Sequence, residues 1–203
     1  MPKGPRIDND LLLQAGLDLM KRNSKPLTKC SSAGRSMMYV LENGETVRAR
    51  TCNDHILIVL SDKPSGDAKL NIEGTDWLLI VMPEIERTPG KVIAYLVPTK
   101  VAADAARQTH SDWLATSPNT KGGNTTWNLW FREDGPPKAN DFARKWSAYR
   151  LEGTVDISQP ITTTPSAASS KAAVGPLTMA EAKKGLALTF DVPPEAIEIT
   201  IHG

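Results

Sequence analysis

Apolar residues recur along the first hundred positions with two different periods. Over 8–22, DNDLLLQAGLDLMKR, positions Leu12, Leu13, Gly16, Leu19 and Met20 return at steps of three and four, which predicts a helix with one apolar face. Asp8 or Asn9 suits its start, Lys21 and Arg22 suit the negative end of its dipole, and Pro26 prevents a long continuation. SMMYVLE (36–42) then leads into Asn43-Gly44, a two-residue hairpin signal. ETVRARTC (45–52) returns with Val47, Ala49 and Thr51 on one face and Thr46, Arg48 and Arg50 on the other. HILIVLSD (55–62) is a continuous apolar run, the pattern of a strand buried on both faces. DWLLIVMPE (76–84) and GKVIAYLVP (90–98) read as two further strands joined through IERTPG.

Beyond them, TKVAADAARQ (99–108) reads as a helix starting at a threonine cap, SPNTKGGN (117–124) as a loop, and TTWNLWF (125–131) as a strand with Trp127 and Phe131 inward. ANDFARKWSAYRLE (139–152) spaces Phe142, Trp146 and Tyr149 by four and three, which predicts another helix. The pattern then stops. SQPITTTPSAASSKAAVGP (158–176) has almost no bulky apolar residues and reads as a linker. Periodicity resumes at the end. Thr178 and Glu181 have capping-box spacing; Met179, Ala182, Leu186 and Phe190 form a stripe; Ile197, Ile199 and Ile201 alternate as in a half-buried strand. The expected organisation is an α/β core over 1–155, a flexible linker over 156–176 and a helix–strand tail over 177–203. So short a tail buries no core alone. It needs its own domain, a copy of itself or another protein to dock on, and an apolar terminal strand suits strand addition. Met179, Leu186, Phe190, Ile197, Ile199 and Ile201 are the candidate partner-binding residues.

Composition narrows the class. The chain has 203 residues, 40% hydrophobic and 23% charged, which is globular. The net charge is +1, so no global field steers it onto DNA. Charge is unevenly placed: Lys3, Arg6, Lys21, Arg22, Lys25, Lys29 and Arg35 outnumber Asp8, Asp10 and Asp18 at the front, whereas 177–203 is acidic. The start lacks signal-peptide features, and no apolar run approaches the roughly 18 residues of a membrane span. A cytoplasmic protein with free thiols at Cys30 and Cys52 is expected. Neither those cysteines nor His55, His110 and His202 have zinc-ligand spacing.

The order of elements over 8–152 resembles the PD-(D/E)xK nuclease-like superfamily of restriction enzymes, resolvases and related bacterial proteins. SMMYVLENGETVRARTC is similar to its hairpin, EGTDWLLIVMPE and GKVIAYLVPTKVA to its later strands, and ARKWSAYRLEGT to its closing helix. The resemblance implies a restriction-endonuclease-like fold: a central mixed β-sheet flanked by helices, here with the C-terminal tail added. It also implies two acids and a lysine that hold magnesium and activate water. This chain departs there. Met37, Met38 and Tyr39 stand where an aspartate is expected, and Arg48-Ala49-Arg50 replaces acid-x-lysine. A guanidinium ligates no cation.

The expectation is therefore a non-catalytic nucleic-acid-binding or regulatory protein of bacterial or phage type, without cofactor, that assembles through its tail. Arg48 and Arg50, about 6–7 Å apart along one strand face, would grip phosphate; the plain alternative is a solvated pair, or one matched to Glu42 or Glu45. Arg35, Lys121 and Trp130, the last as a stacking platform, complete the candidate DNA contacts; a core or loop role is the alternative for Lys121 and Trp130. A second reading is an active magnesium-dependent nuclease with a displaced site near Glu45, Asp54 or Asp76. A third is an assembly protein with no nucleic-acid role. Cys30 among basic neighbours and His110 near Asp112 are weaker candidates, and no P-loop or nucleophile motif is present.

Overall fold

The computed structural model describes residues 4–30, 37–64, 66–116, 123–132, 141–158 and 183. By compactness the chain divides into Met1–Ile161 and Thr162–Gly203. In the second unit only Lys183 is described, and it is helical. Met179, Leu186, Phe190, Ile197, Ile199 and Ile201 lie outside the described residues.

Helix α1 (Asn9–Arg22) forms where the three- and four-residue period predicts it. The Asp8 carboxylate accepts from the Asp10 and Leu11 amides at 2.8 and 3.1 Å, satisfying donors that every helix start leaves open. The far end closes as a Schellman motif. Ser24 adopts φ 56°, the Lys25 amide reaches the Met20 carbonyl at 2.9 Å, and the Ser24 amide reaches Lys21 at 3.1 Å. The helix is thus already finished before Pro26.

In chain order the strands are β1 (Thr28–Lys29), β2 (Met38–Val40), β3 (Thr46–Thr51), β4 (Ile56–Leu60), β5 (Trp77–Pro83), β6 (Lys91–Pro98), β7 (Thr126–Trp130) and β8 (Val155–Asp156). Six of them form one mixed sheet in the order β1-β2-β3-β5-β6-β8. Among the described strands only β3 and β5 pair in parallel; the other neighbours in this sheet run antiparallel. β4 and β7 form a separate antiparallel ribbon. Helices α2 (Thr99–Thr116) and α3 (Phe142–Lys145) complete the described architecture.

The alternation of β3 assigns the two faces. Val47 and Ala49 join Leu79, Val81, Val92, Ala94 and Leu96 against Leu12, Ala15, Leu19 and Met20 of α1. Each leucine fully buried there contributes roughly 1.5–3 kcal/mol. Gly16 lets α1 come close, since a Cβ at that position would stand 2.3 Å from Val81 Cγ2. The opposite face, with Leu78, Ile80, Met82, Ile93, Tyr95 and Val97, is covered by Ala102, Ala103 and Ala106 of α2 and by Leu57, Val59, Trp127 and Leu129 of the ribbon. β5 and β6 are buried on both faces because both layers lie across them.

Four expectations need correction. The hairpin carries a three-residue loop, Glu42-Asn43-Gly44, because the Gly44 amide bonds the Leu41 carbonyl and Leu41 bonds Glu45, both at 2.9 Å. Gly44 at φ +88° makes the bulge of that loop type. β4 is not buried twice: Leu57 and Val59 point inward, but Ile58 and Leu60 are 53% and 47% exposed. The helix expected over 139–152 is only α3 followed by a 3₁₀ turn, Ser147–Tyr149; Arg150 then bridges to Tyr95 as an extended strand residue. Phe142 and Trp146 nonetheless face inward together, against Phe131. The helix from Thr99 runs eight residues further than expected, to Thr116.

Cys30 and Cys52 are both free. Burial pushes the Cys52 thiol up to about 12, so it is inert packing. Among the described residues no helix is long and apolar enough to cross a membrane.

Candidate functional site

The Arg48 and Arg50 side chains leave β3 on the face that carries Leu78 and Ile80, their register partners on β5. Both are half-buried rather than solvated. The Nε atoms of both are buried and have no hydrogen-bond partner. Among the described residues neither guanidinium has an ion pair. Arg50 makes one long bond, from Nη2 to the Asn71 carbonyl at 3.4 Å. Asn71 is pinned there, since its amide reaches the Leu60 carbonyl at 2.8 Å and its side chain accepts from the Leu60 amide at 3.0 Å. Burial first, and the Arg48 charge second, hold Arg50 below the ordinary guanidinium range. Two adjacent, partly desolvated cations with open donors and, among the described residues, no paired acid have the chemistry to accept an anion.

The matching acids are engaged elsewhere. Glu45 accepts from Trp77 Nε1 at 2.9 Å and Asn43 Nδ2 at 2.8 Å, and Glu42 is exposed on the loop. Asp76 accepts from the Thr46 amide and hydroxyl at 2.8 and 2.7 Å; those two bonds depress its carboxyl, the amide contributing most. Asp54 pairs with Arg87 at 2.5 Å and Arg6 at 3.0 Å, and the Arg87 bond is the largest cause of its depressed carboxyl. Glu45 and Asp76 flank one end of β3, bonded to side chains on opposite faces of the sheet, while Asp54 lies beyond the other end. The three do not converge. Among the described residues no group of three His, Cys, Asp or Glu side chains is placed to hold a metal.

Trp130 is half-buried on β7, with the Arg132 guanidinium 5.5 Å from its ring centre. Arg35 and Lys121 lie outside the described residues. His110 does not pair with Asp112, which accepts instead from Gln108 at 2.7 Å. The His110 ring is stacked between Trp127 at 4.3 Å and Trp113 at 5.8 Å.

A concave site elsewhere escaped the sequence reading. A cavity of about 430 Å³ is lined by His55, Glu84, Glu86, Tyr95, Arg132 and Arg150 over a floor that includes Met82, Ile93 and Phe131. Its polar residues come from the β5–β6 loop, the turn before β4, β6, the residues just after β7 and the segment after α3. No local motif joins them; the acid-apolar-acid run Glu84-Ile85-Glu86 in a hairpin loop was the nearest signal.

Compared with family models, curated proteins and solved structures, the chain matches none of them.

Proposed function

We propose that this chain is a non-catalytic binder of polyanions, with nucleic-acid backbone phosphate as the ligand of Arg48 and Arg50. One observation carries the reading: two neighbouring, half-buried guanidinium groups have buried Nε atoms without partners and no carboxylate among the described residues. Desolvated guanidinium donors bind phosphate through short charge-assisted bonds. The mixed sheet with α1 on one face and α2 on the other is compatible with a nuclease-like ancestry, in which arginines stand where acid and lysine would cut. Assembly through residues 177–203, argued from their stripe and alternation, is the second part of the proposal.

The test is duplex DNA binding by the full chain between about 50 and 200 mM salt. Each phosphate contact contributes about 0.9 to the slope of log affinity against log salt. Arg48→Ala/Arg50→Ala should lower that slope by roughly 2 and weaken binding to all sequences alike. An unchanged slope would refute the assignment. Magnesium-dependent cleavage lost in Glu45→Ala, Asp54→Ala or Asp76→Ala would replace the reading with an active nuclease. A chain truncated near residue 160 that keeps its mass in light scattering would remove the assembly role.

A further inference from the structure

The cavity under the β5–β6 loop is built differently from the arginine pair. Its walls are joined by polar contacts. Arg132 donates to Glu86 in a half-buried pair and reaches the Asp54 carbonyl at 3.4 Å. His55 sits at φ 52°, an uncommon conformation for a residue with a side chain. Its Nε2–H donates to the Pro83 carbonyl at 2.6 Å, so Nδ1 is left for another partner. Backbone strain of this kind collects at ligand sites.

The mouth is the reverse. Glu84 and Arg150 face each other at 4.0 Å, each with a side chain 43% exposed, too far apart for a hydrogen bond. So exposed a pair contributes little to stability, and a ligand displaces it at little cost. Inside, Tyr95 is 2% exposed and lines the cavity, yet its hydroxyl has no hydrogen-bond partner among the described residues. The floor is apolar and aromatic. The cavity is large enough for a small metabolite.

We infer that this cavity binds a zwitterionic α-amino acid with an apolar or aromatic side chain. The ammonium group meets Glu84, the carboxylate meets Arg150, and the side chain lies over Met82, Ile93 and Phe131 with Tyr95 as a further polar contact. A loosely opposed acid and guanidinium recognise two opposite charges carried a few ångströms apart. A singly charged ligand would meet only one of the two and forgo the second charge-assisted contact.

The inference does not depend on the arginine pair of β3. The probes are L-phenylalanine and L-leucine against phenethylamine, phenylpropionate and guanosine, with calorimetry on the full chain. Saturable binding of a zwitterion is expected, weakened at least roughly tenfold for either singly charged analogue. Glu84→Gln and Arg150→Gln, both exposed and so tolerated by the fold, should each cause a similar loss. Tyr95→Phe should weaken binding severalfold, and Arg48→Ala/Arg50→Ala should leave it intact. No saturable binding up to about 10 mM, a range covering weak metabolite affinities, would overturn the inference. So would equal binding of the singly charged analogues, binding of guanosine alone, or indifference to both mouth substitutions.

Discussion

If the β3 arginines are kept for an anion, they cost the free protein stability, and replacing one should strengthen the fold. Arg50→Met is the informative change, because methionine keeps the unbranched stem that packs beside Ile80 and removes only the guanidinium. Three effects decide the sign. Mutual repulsion of two unit charges, taken at the backbone spacing of about 6–7 Å between alternate strand residues, is about 2.5 kcal/mol at an effective dielectric of about 20 and about 0.6 kcal/mol in bulk water. A buried Nε without a partner adds about 1–3 kcal/mol of lost hydration. Against these stands one bond to Asn71 at 3.4 Å, worth at most about 0.5 kcal/mol at that length. A net gain of roughly 1–5 kcal/mol is expected, the lower half applying if solvent screens the pair. Urea unfolding reads it as a midpoint about 1 M higher at an unchanged slope. Arg48→Met should gain on the same grounds, and the double variant should gain less than the sum, the shortfall being the repulsion itself. The reasoning fails if Arg50→Met lowers the midpoint, or if the two gains add fully. Either result would make the arginines structural.

Other expectations follow from the packing and the titrating groups. Gly16→Ala should destabilise by about 1–2 kcal/mol despite better helix propensity, because the new methyl meets Val81; in a Val81→Ala background, which removes the two nearest atoms and leaves Val81 Cβ at 3.3 Å, most of that loss should be recovered, as read by thermal melt. Arg87 and Arg6 hold the Asp54 carboxyl below its ordinary range, so its contribution is present above about pH 3.9 and disappears as pH falls through the depressed folded value; Asp54→Asn should flatten that limb of an acid-unfolding curve. Burial depresses His110, opposed by its bond to Pro64, so folding favours the neutral ring and stability falls as pH drops below about 6.5; His110→Phe should remove that slope below about pH 6.5. Ile58→Lys on the outer face of β4 should change stability by less than about 0.5 kcal/mol, whereas a core strand would be badly damaged, and denaturant titration separates the two.

The chain's own order of residues determined its local elements. The repeat through Leu12, Leu19 and Met20 and the carboxylate of Asp8 specify α1 without help from the rest of the molecule. The period of two at Val47 and Ala49 specifies which way Arg48 and Arg50 point. Only tertiary structure decided what those elements meet. Ile58 and Leu60 look like core residues beside Leu57 and Val59, because apolarity records solvent aversion and not which side of a ribbon a second layer covers. Phe142, Trp146 and Tyr149 carry a helical spacing, yet the 142–149 segment breaks into a short helix and a 3₁₀ turn before Arg150 takes up pairing with Tyr95. That Glu45 and Asp76 do not pair with Arg48 and Arg50 followed only from the tertiary structure, which bonds Glu45 to Trp77 and Asp76 to Thr46. The cavity was least legible of all. Glu84 and Arg150 are distant along the chain, and opposite charges are set facing each other by sheet register, a long-range property that no short stretch of residues encodes.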